Sequence, residues 1–158
     1  MSEVCKNTVD AICRDEDIAQ KLFELKEQNG GTLKLRHYFK FGSDGSKGQP
    51  IFKQILDEER YQGALYATGM VSMQLVAELE NGQFVIIYNN SLMNSSLSWR
   101  PLRLLFKAES KELILEEKAR LDKERDELQP YEVYDGITVE HKGFYCMCDM
   151  KDSVWIEF

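Results

Sequence analysis

Histidine and cysteine are the side chains in this sequence best suited to catalysis or metal binding, and it holds two histidines and four cysteines. His37 lies between Leu35 and Phe39 on the apolar face of a predicted strand. A general base needs a polar partner and a cleft, so this position predicts either a structural core histidine or a base beside a pocket. His141 precedes Lys142-Gly143 in a predicted turn. Neither histidine has a nucleophile in a recognisable setting, and no catalytic residue is predicted.

The cysteines do not have the spacing of a zinc site. Cys146 and Cys148 are two residues apart on a predicted strand and so share one face with Phe144 and Met150. Zinc ligands are usually spaced Cys-X2–4-Cys in a turn, with a second pair nearby. Free cysteine packs as a small buried hydrophobe. The sequence therefore predicts core thiols, no metal site and no cofactor.

A row of basic residues alternates with the apolar face around His37. It consists of Lys34, Arg36 and Lys40, with Tyr38 between the last two. Sheets that bind RNA combine such charges with aromatic platforms, but this row has a single aromatic residue. The same row is also suited to pairing with an acidic helix of this chain. The formal net charge of −7 opposes phosphate backbones at long range, so nucleic acid is not the expected partner.

Composition points to a cytoplasmic globular protein. The 158 residues predict a single domain spanning 1–158, and a chain of this length buries enough surface to form a core without disulfides. No basic segment followed by an apolar run marks the start, and no stretch has the apolar length needed to span a membrane. The cysteines are accordingly expected to be reduced. The oligomeric state is not predicted.

The strongest structural signal is a hairpin. Every odd position from Leu65 to Leu79 is apolar or small, the even positions are mostly polar, and Asn81-Gly82 leads into the apolar run 84–88. Alternation and an Asn-Gly turn predict two antiparallel strands. Asp135-Gly136 predicts a second turn within a C-terminal meander. The predicted fold class is α+β, with a mainly antiparallel sheet built from the hairpin 65–88 and the meander 131–158, packed with helices.

Helices are predicted around this sheet. Residues 3–13 and a segment capped by Asp15 form two helices near the start of the sequence, and Pro50 begins another. The glycine-rich run 42–48 is predicted as a flexible loop. Residues 108–128 alternate acidic and basic side chains at i,i+4 spacing, which predicts a solvated helix of about 20 residues.

Charge on this last helix suggests a function. We expect a small acidic protein that docks on a basic protein partner and regulates or inhibits it, as inhibitors, immunity proteins and phage regulators do. The predicted contact residues are Glu116, Glu117, Glu124 and Glu127. The alternative is a small enzyme or ligand sensor with a pocket near His37. A concave apolar pocket with convergent polar groups would favour this alternative, and a flat acidic surface would favour docking.

Overall fold

The computed structural model describes residues 1–46 and 64–146. Within these ranges the protein is α+β, as predicted, with three α-helices and one six-stranded sheet. None of the described helices is long and apolar enough to cross a bilayer. The elements are α1 (Ser2–Cys13), α2 (Glu16–Gln28), β1 (Leu33–Ser46), β2 (Leu65–Glu78), β3 (Phe84–Asn89), β4 (Arg100–Leu105), α3 (Lys111–Asp126), β5 (Tyr131–Tyr134) and β6 (Ile137–Tyr145).

The sheet is mixed, with the order β3-β2-β1-β6-β5, and β4 pairs with β2. Both predicted hairpins are confirmed: β2 pairs antiparallel with β3, and β5 pairs antiparallel with β6. Gly82 and Gly136 supply the positive φ angles of 78° and 67° that the two turns require. The two central strands, however, are parallel, because β6 runs alongside β1. Turn signals between neighbouring segments carry no information on this long-range pairing.

A bulge in β2 changes which side chains face the helices. Tyr38 pairs with Gln74 but Phe39 pairs with Ser72, so Met73 is an extra residue. One extra residue exchanges the two faces of a strand. The odd-numbered pattern therefore describes the buried face only from Leu75 onward. Before the bulge, even-numbered side chains reach the covered face of the sheet, and these are Tyr66, Thr68, Met70 and Ser72, all buried.

The helices lie against two apolar clusters. Val9 of α1 and Leu22 of α2 pack on one cluster, while Leu121 of α3 packs on the other. Asp15 caps α2 as predicted, its carboxylate accepting from the Ile18 amide at 3.3 Å. Helix α3 is shorter than expected because Ser110 caps its start.

Other predictions differ in detail. Residues 42–46 extend β1 as strand rather than forming a loop. Segment 100–105 is strand β4, and among the described residues it pairs only with β2, consistent with Pro101 at a sheet edge. Cys146 is only partly buried. The helix expected from Pro50, Cys148 and the end of the meander lie outside the described residues.

Two leucines of α3 test this packing. We expect Leu121→Ala, which empties a fully buried position, to lower the free energy of unfolding by about 2–5 kcal/mol. Leu115→Ala is the matched control: this side chain is 56% exposed on the same helix, and its loss should change stability by less than about 0.5 kcal/mol. Urea denaturation measures both. Equal effects would mean that α3 does not pack on the sheet through Leu121.

Candidate functional site

Polar side chains interrupt the core where its two apolar clusters adjoin. His37 follows Leu35 of the first cluster along β1 and precedes Phe39 of the second. It is fully buried, as is Cys5 on α1. Ser72 of β2 is also buried. Polar groups in such a position must find partners within the protein, and the contacts that they make define the candidate site.

Parallel pairing brings the two histidines together. His37 and His141 occupy the same register position of β1 and β6, so their side chains leave the same face. Their Nδ1 atoms lie 2.9 Å apart. One nitrogen must donate and the other accept, since two lone pairs or two N–H groups facing each other would repel. The contact therefore requires at least one neutral imidazole. When both rings are neutral, the tautomer of one ring determines the tautomer of the other.

Ser72 extends this contact into a chain of three side chains. Its Oγ lies 2.9 Å from the His37 Nε2. If the hydroxyl donates to Nε2, then His37 Nδ1–H donates to His141; if Nε2–H donates to the hydroxyl, the direction is reversed. Both arrangements satisfy every buried nitrogen of His37. The position of Ser72 is itself fixed, because its carbonyl accepts from the Asn90 Nδ2 at 2.8 Å.

Two sulfur atoms lie beside the imidazoles. The thiol of Cys5 donates to the Met70 Sδ at 3.6 Å, and both residues are buried. The Sγ of Cys5 and one ring nitrogen each of His37 and His141 lie within 4.8 Å of one another. These three donor atoms come from α1, β1 and β6, and Met70 from β2. We call Cys5, His37, His141 and Met70 the donor cluster.

Aromatic rings and burial keep the donor cluster uncharged. Phe39 stacks on His37 with centroids 5.5 Å apart, and Tyr131 stacks on His141 at 5.6 Å. Desolvation, with the charge of His141, lowers the pKa of His37 to about 3, and desolvation lowers that of His141 to about 4. Burial raises the pKa of Cys5 to about 12. At neutral pH the cluster therefore holds two neutral imidazoles and a neutral thiol.

Two clefts reach the hydrogen-bonded series Ser72–His37–His141, one at each end. Ser72 lines a cavity of about 520 Å³ between α1, β2 and the segment that leads into β4, with Asn7, Tyr88 and Arg100 also in its wall. His141 lines a groove of about 420 Å³ beside β6. Solvent therefore approaches His141 on one side and Ser72 on the other, while His37 between them is enclosed.

The contacts of His37 do not match those of a Ser–His nucleophile and base. A Ser–His pair acts as nucleophile and base when the base is basic near working pH and a third group stabilises the imidazolium. The pKa of His37 is too low for that, and its second nitrogen faces an imidazole instead of a carboxylate. Asp10 is linked to this site only through Tyr131, the ring that stacks on His141: its carboxylate accepts from the Tyr131 hydroxyl at 2.9 Å.

Sequence reasoning identified only part of this site. It placed His37 on the apolar face, as observed, and put His141 in a turn, whereas His141 lies on strand β6. It did not connect Cys5, Met70 or Ser72 with either histidine. The i,i+4 spacing of Cys5 and Val9 on the covered face of α1 was a signal that Cys5 points inward. No local pattern shows that the sheet places His37 beneath it.

The four acidic residues predicted to contact a partner have different surroundings. Glu117 is 1% exposed and accepts from Arg103 at 2.6 Å and from Arg120 at 2.8 Å. Glu124 is partly buried and pairs with the same Arg120. Glu116 and Glu127 are exposed. A partner would reach these last two carboxylates, whereas Glu117 is an internal ligand of two arginines.

Helix α3 as a whole is nearly neutral. It holds six acidic and five basic residues, a net charge of −1, and several of them pair with one another, as Lys118 does with Asp122 at 2.5 Å. Such pairing reduces the field that would steer a basic partner. Docking through the exposed Glu116 and Glu127 stays a prediction.

The basic side chains of the row on β1 pair with groups of neighbouring strands and of a loop. Arg36 pairs with Glu78 at 2.8 Å and Lys34 with Glu140 at 3.6 Å. Lys40 donates to Asn94. Within the described residues these three side chains do not pair with α3, so the predicted intramolecular bridge to that helix is not present there. Their engagement in the sheet also leaves less charge for a phosphate ligand.

No protein-family model matches this sequence, and neither does any curated protein. The function is therefore argued from the geometry of the site.

Glu117 and Glu116 form a matched pair for testing the role of the buried carboxylate. We expect Glu117→Gln to lower the free energy of unfolding by about 1–3 kcal/mol, because the buried carboxylate charge is lost and one of its two oxygens is replaced by an amide group that cannot accept from an arginine. Glu116→Gln, one residue away and exposed, should change it by less than about 0.5 kcal/mol. Chemical denaturation at neutral pH measures the difference. An unchanged stability of the Glu117 variant would show that its ion pairs are not structural.

Proposed function

We propose that this protein binds one transition-metal ion through Cys5, His37 and His141, as a metal carrier or sensor. The observation that carries the proposal is the convergence of a thiol and two imidazoles within 4.8 Å of one another in the interior. This proposal belongs to the ligand-sensor alternative with a pocket near His37, and it differs from the expectation of no metal site. It replaces docking as the function best supported by the geometry.

The types of donor suit transition metals. Imidazole nitrogen and cysteine sulfur are the usual ligands of zinc and of copper, and hard cations such as magnesium prefer oxygen. No carboxylate belongs to the described donor cluster. The imidazoles are neutral at physiological pH, which is the state that coordinates metal. A bound cation would also lower the pKa of the thiol and convert it to the thiolate.

The distance between the two imidazole nitrogens is close to that in a metal site. Two nitrogens bound to one zinc at normal bond lengths lie about 3.3 Å apart, and the two Nδ1 atoms are 2.9 Å apart. They are the natural donors because the other nitrogen of His37 is already bonded to Ser72. Coordination requires the two rings to turn so that both Nδ1 lone pairs meet at one ion, and requires the Cys5 Sγ, which lies within 4.8 Å of the ring nitrogens, to close the site from α1.

The surroundings provide the outer contacts that metal sites use. When His37 coordinates through Nδ1, its Nε2–H donates to the Ser72 hydroxyl, which fixes the ring and its tautomer. Phe39 and Tyr131 hold the ring planes by stacking. His141 lines the open groove beside β6 and is partly exposed, whereas Cys5 and His37 are fully buried.

Removal of one thiol tests the proposal. Reduced, chelator-treated protein should bind one zinc ion, and free metal at a hundredfold excess over Kd should stabilise it by about 2.7 kcal/mol. For a domain of this size that raises Tm by about 5–10 °C. Cys5→Ala should abolish the zinc-dependent rise in Tm. Calorimetric titration and thermal denaturation with and without zinc provide the measurements.

Cys13→Ala is the control. Cys13 is buried on the same helix and burial also raises its pKa to about 12, but it is not in the donor cluster. The alanine variant should retain zinc binding in full. Failure of the unaltered protein to bind either zinc or copper(I), or equal zinc binding by the Cys5 and Cys13 variants, would contradict the proposal.

A further inference from the structure

We infer that the metal preferred by this site is copper(I), with the Met70 thioether as a fourth donor. The inference rests on the proposed function and specifies the metal. It draws on two features beyond the three donors themselves: the position of Met70, and the absence of any carboxylate among the described residues that form the site.

The position of Met70 is the first feature. Its Sδ lies 3.6 Å from the Cys5 Sγ and accepts the thiol hydrogen. The lone pair of Sδ is therefore directed towards the atom that becomes the thiolate ligand. Sulfur atoms bound to one metal are separated by a distance of about this size, given metal–sulfur bonds of about 2.3 Å. Two soft sulfur donors together select copper(I) over harder cations.

Charge is the second feature. The donors are one thiol, which becomes a thiolate on binding, two imidazoles and a thioether, so the thiolate is the one negative charge that they supply. Binding of copper(I) breaks the S–H bond, forms a copper–sulfur bond and releases one proton to solvent, so one monovalent cation replaces another. The buried site stays neutral. A zinc(II) ion held by the same ligands would leave a net charge of +1 without a described counter-ion, and an uncompensated buried charge is costly.

The bulge in β2 links the two features. Because Met73 is the extra residue, Met70 and Ser72 lie on the covered face of the sheet. Without the bulge both side chains would leave the opposite face. One backbone irregularity thus supplies the thioether to Cys5 and the hydroxyl to His37, and bulges of this kind commonly re-aim side chains at functional sites.

Competition for the metal tests the inference. The protein used for this measurement carries the substitutions Cys146→Ser and Cys148→Ser, so that Cys5 and Cys13 are its only thiols. Bicinchoninate competes for copper(I) under anaerobic, reducing conditions, and a fluorescent chelator competes for zinc(II). We expect one copper(I) per chain and no displacement of it by an equal concentration of zinc. Met70→Leu should weaken copper(I) binding about 10- to 100-fold and leave the zinc affinity within about twofold.

Met73→Leu is the matched control, since it makes the same change at the extra residue, which is not in the donor cluster. It should leave both affinities unchanged, and circular dichroism checks that each variant is folded. Binding of zinc in preference to copper(I), or equal copper(I) affinity of the Met70 and Met73 variants, would overturn the choice of copper(I) while leaving a metal-binding function. Binding of neither metal would overturn both.

Discussion

The bulge at Met73 of β2 is the constraint on which the interior of this protein depends. A regular strand would carry its odd-numbered side chains to the helices along its whole length. Because of the extra residue, the covered face of β2 carries even-numbered side chains before Met73 and odd-numbered side chains after it. Leu75 and Ala77 therefore pack in the first apolar cluster and Met70 in the second. The place of the change coincides with Ser72, which faces His37. Packing and polar contacts are therefore set by one local irregularity.

Much of the fold could be predicted from local signals. Asn81-Gly82 and Asp135-Gly136 require positive φ at glycine, and both are turns in the structure. Asp15 predicted the start of α2 for the same kind of reason, because its side chain satisfies an amide that the helix leaves free. Such signals involve a few neighbouring residues and depend little on the rest of the chain. Prediction was confirmed at these two turns and at this cap, whereas the glycine-rich run 42–48 was predicted as a loop and its described residues 42–46 are strand.

The site could not be predicted in the same way, because its residues meet only through long-range pairing. His37 and His141 are 104 positions apart and become neighbours through the parallel pairing of β1 with β6. Alternation shows which face a strand buries but not which strand lies beside it. The bulge adds a second difficulty: the apolar odd positions of β2 continue through it, so sequence pattern alone places Met70 and Ser72 on the wrong face.

The charge pattern of α3 shows a second limit of local signals. Alternating charges correctly predicted a helix with i,i+4 pairs, and Lys118–Asp122 and Lys123–Glu127 are such pairs. The same pattern does not show which charges face inward. Glu117 is buried because Arg103, from β4, reaches it and shares it with Arg120. A buried carboxylate held by two arginines contrasts with the donor cluster, where no described charge compensates another. Opposite charges thus neutralise the site around Glu117, whereas desolvation keeps the donor cluster uncharged. Of these two sites, the donor cluster is the one whose nitrogen and sulfur atoms suit a metal cation.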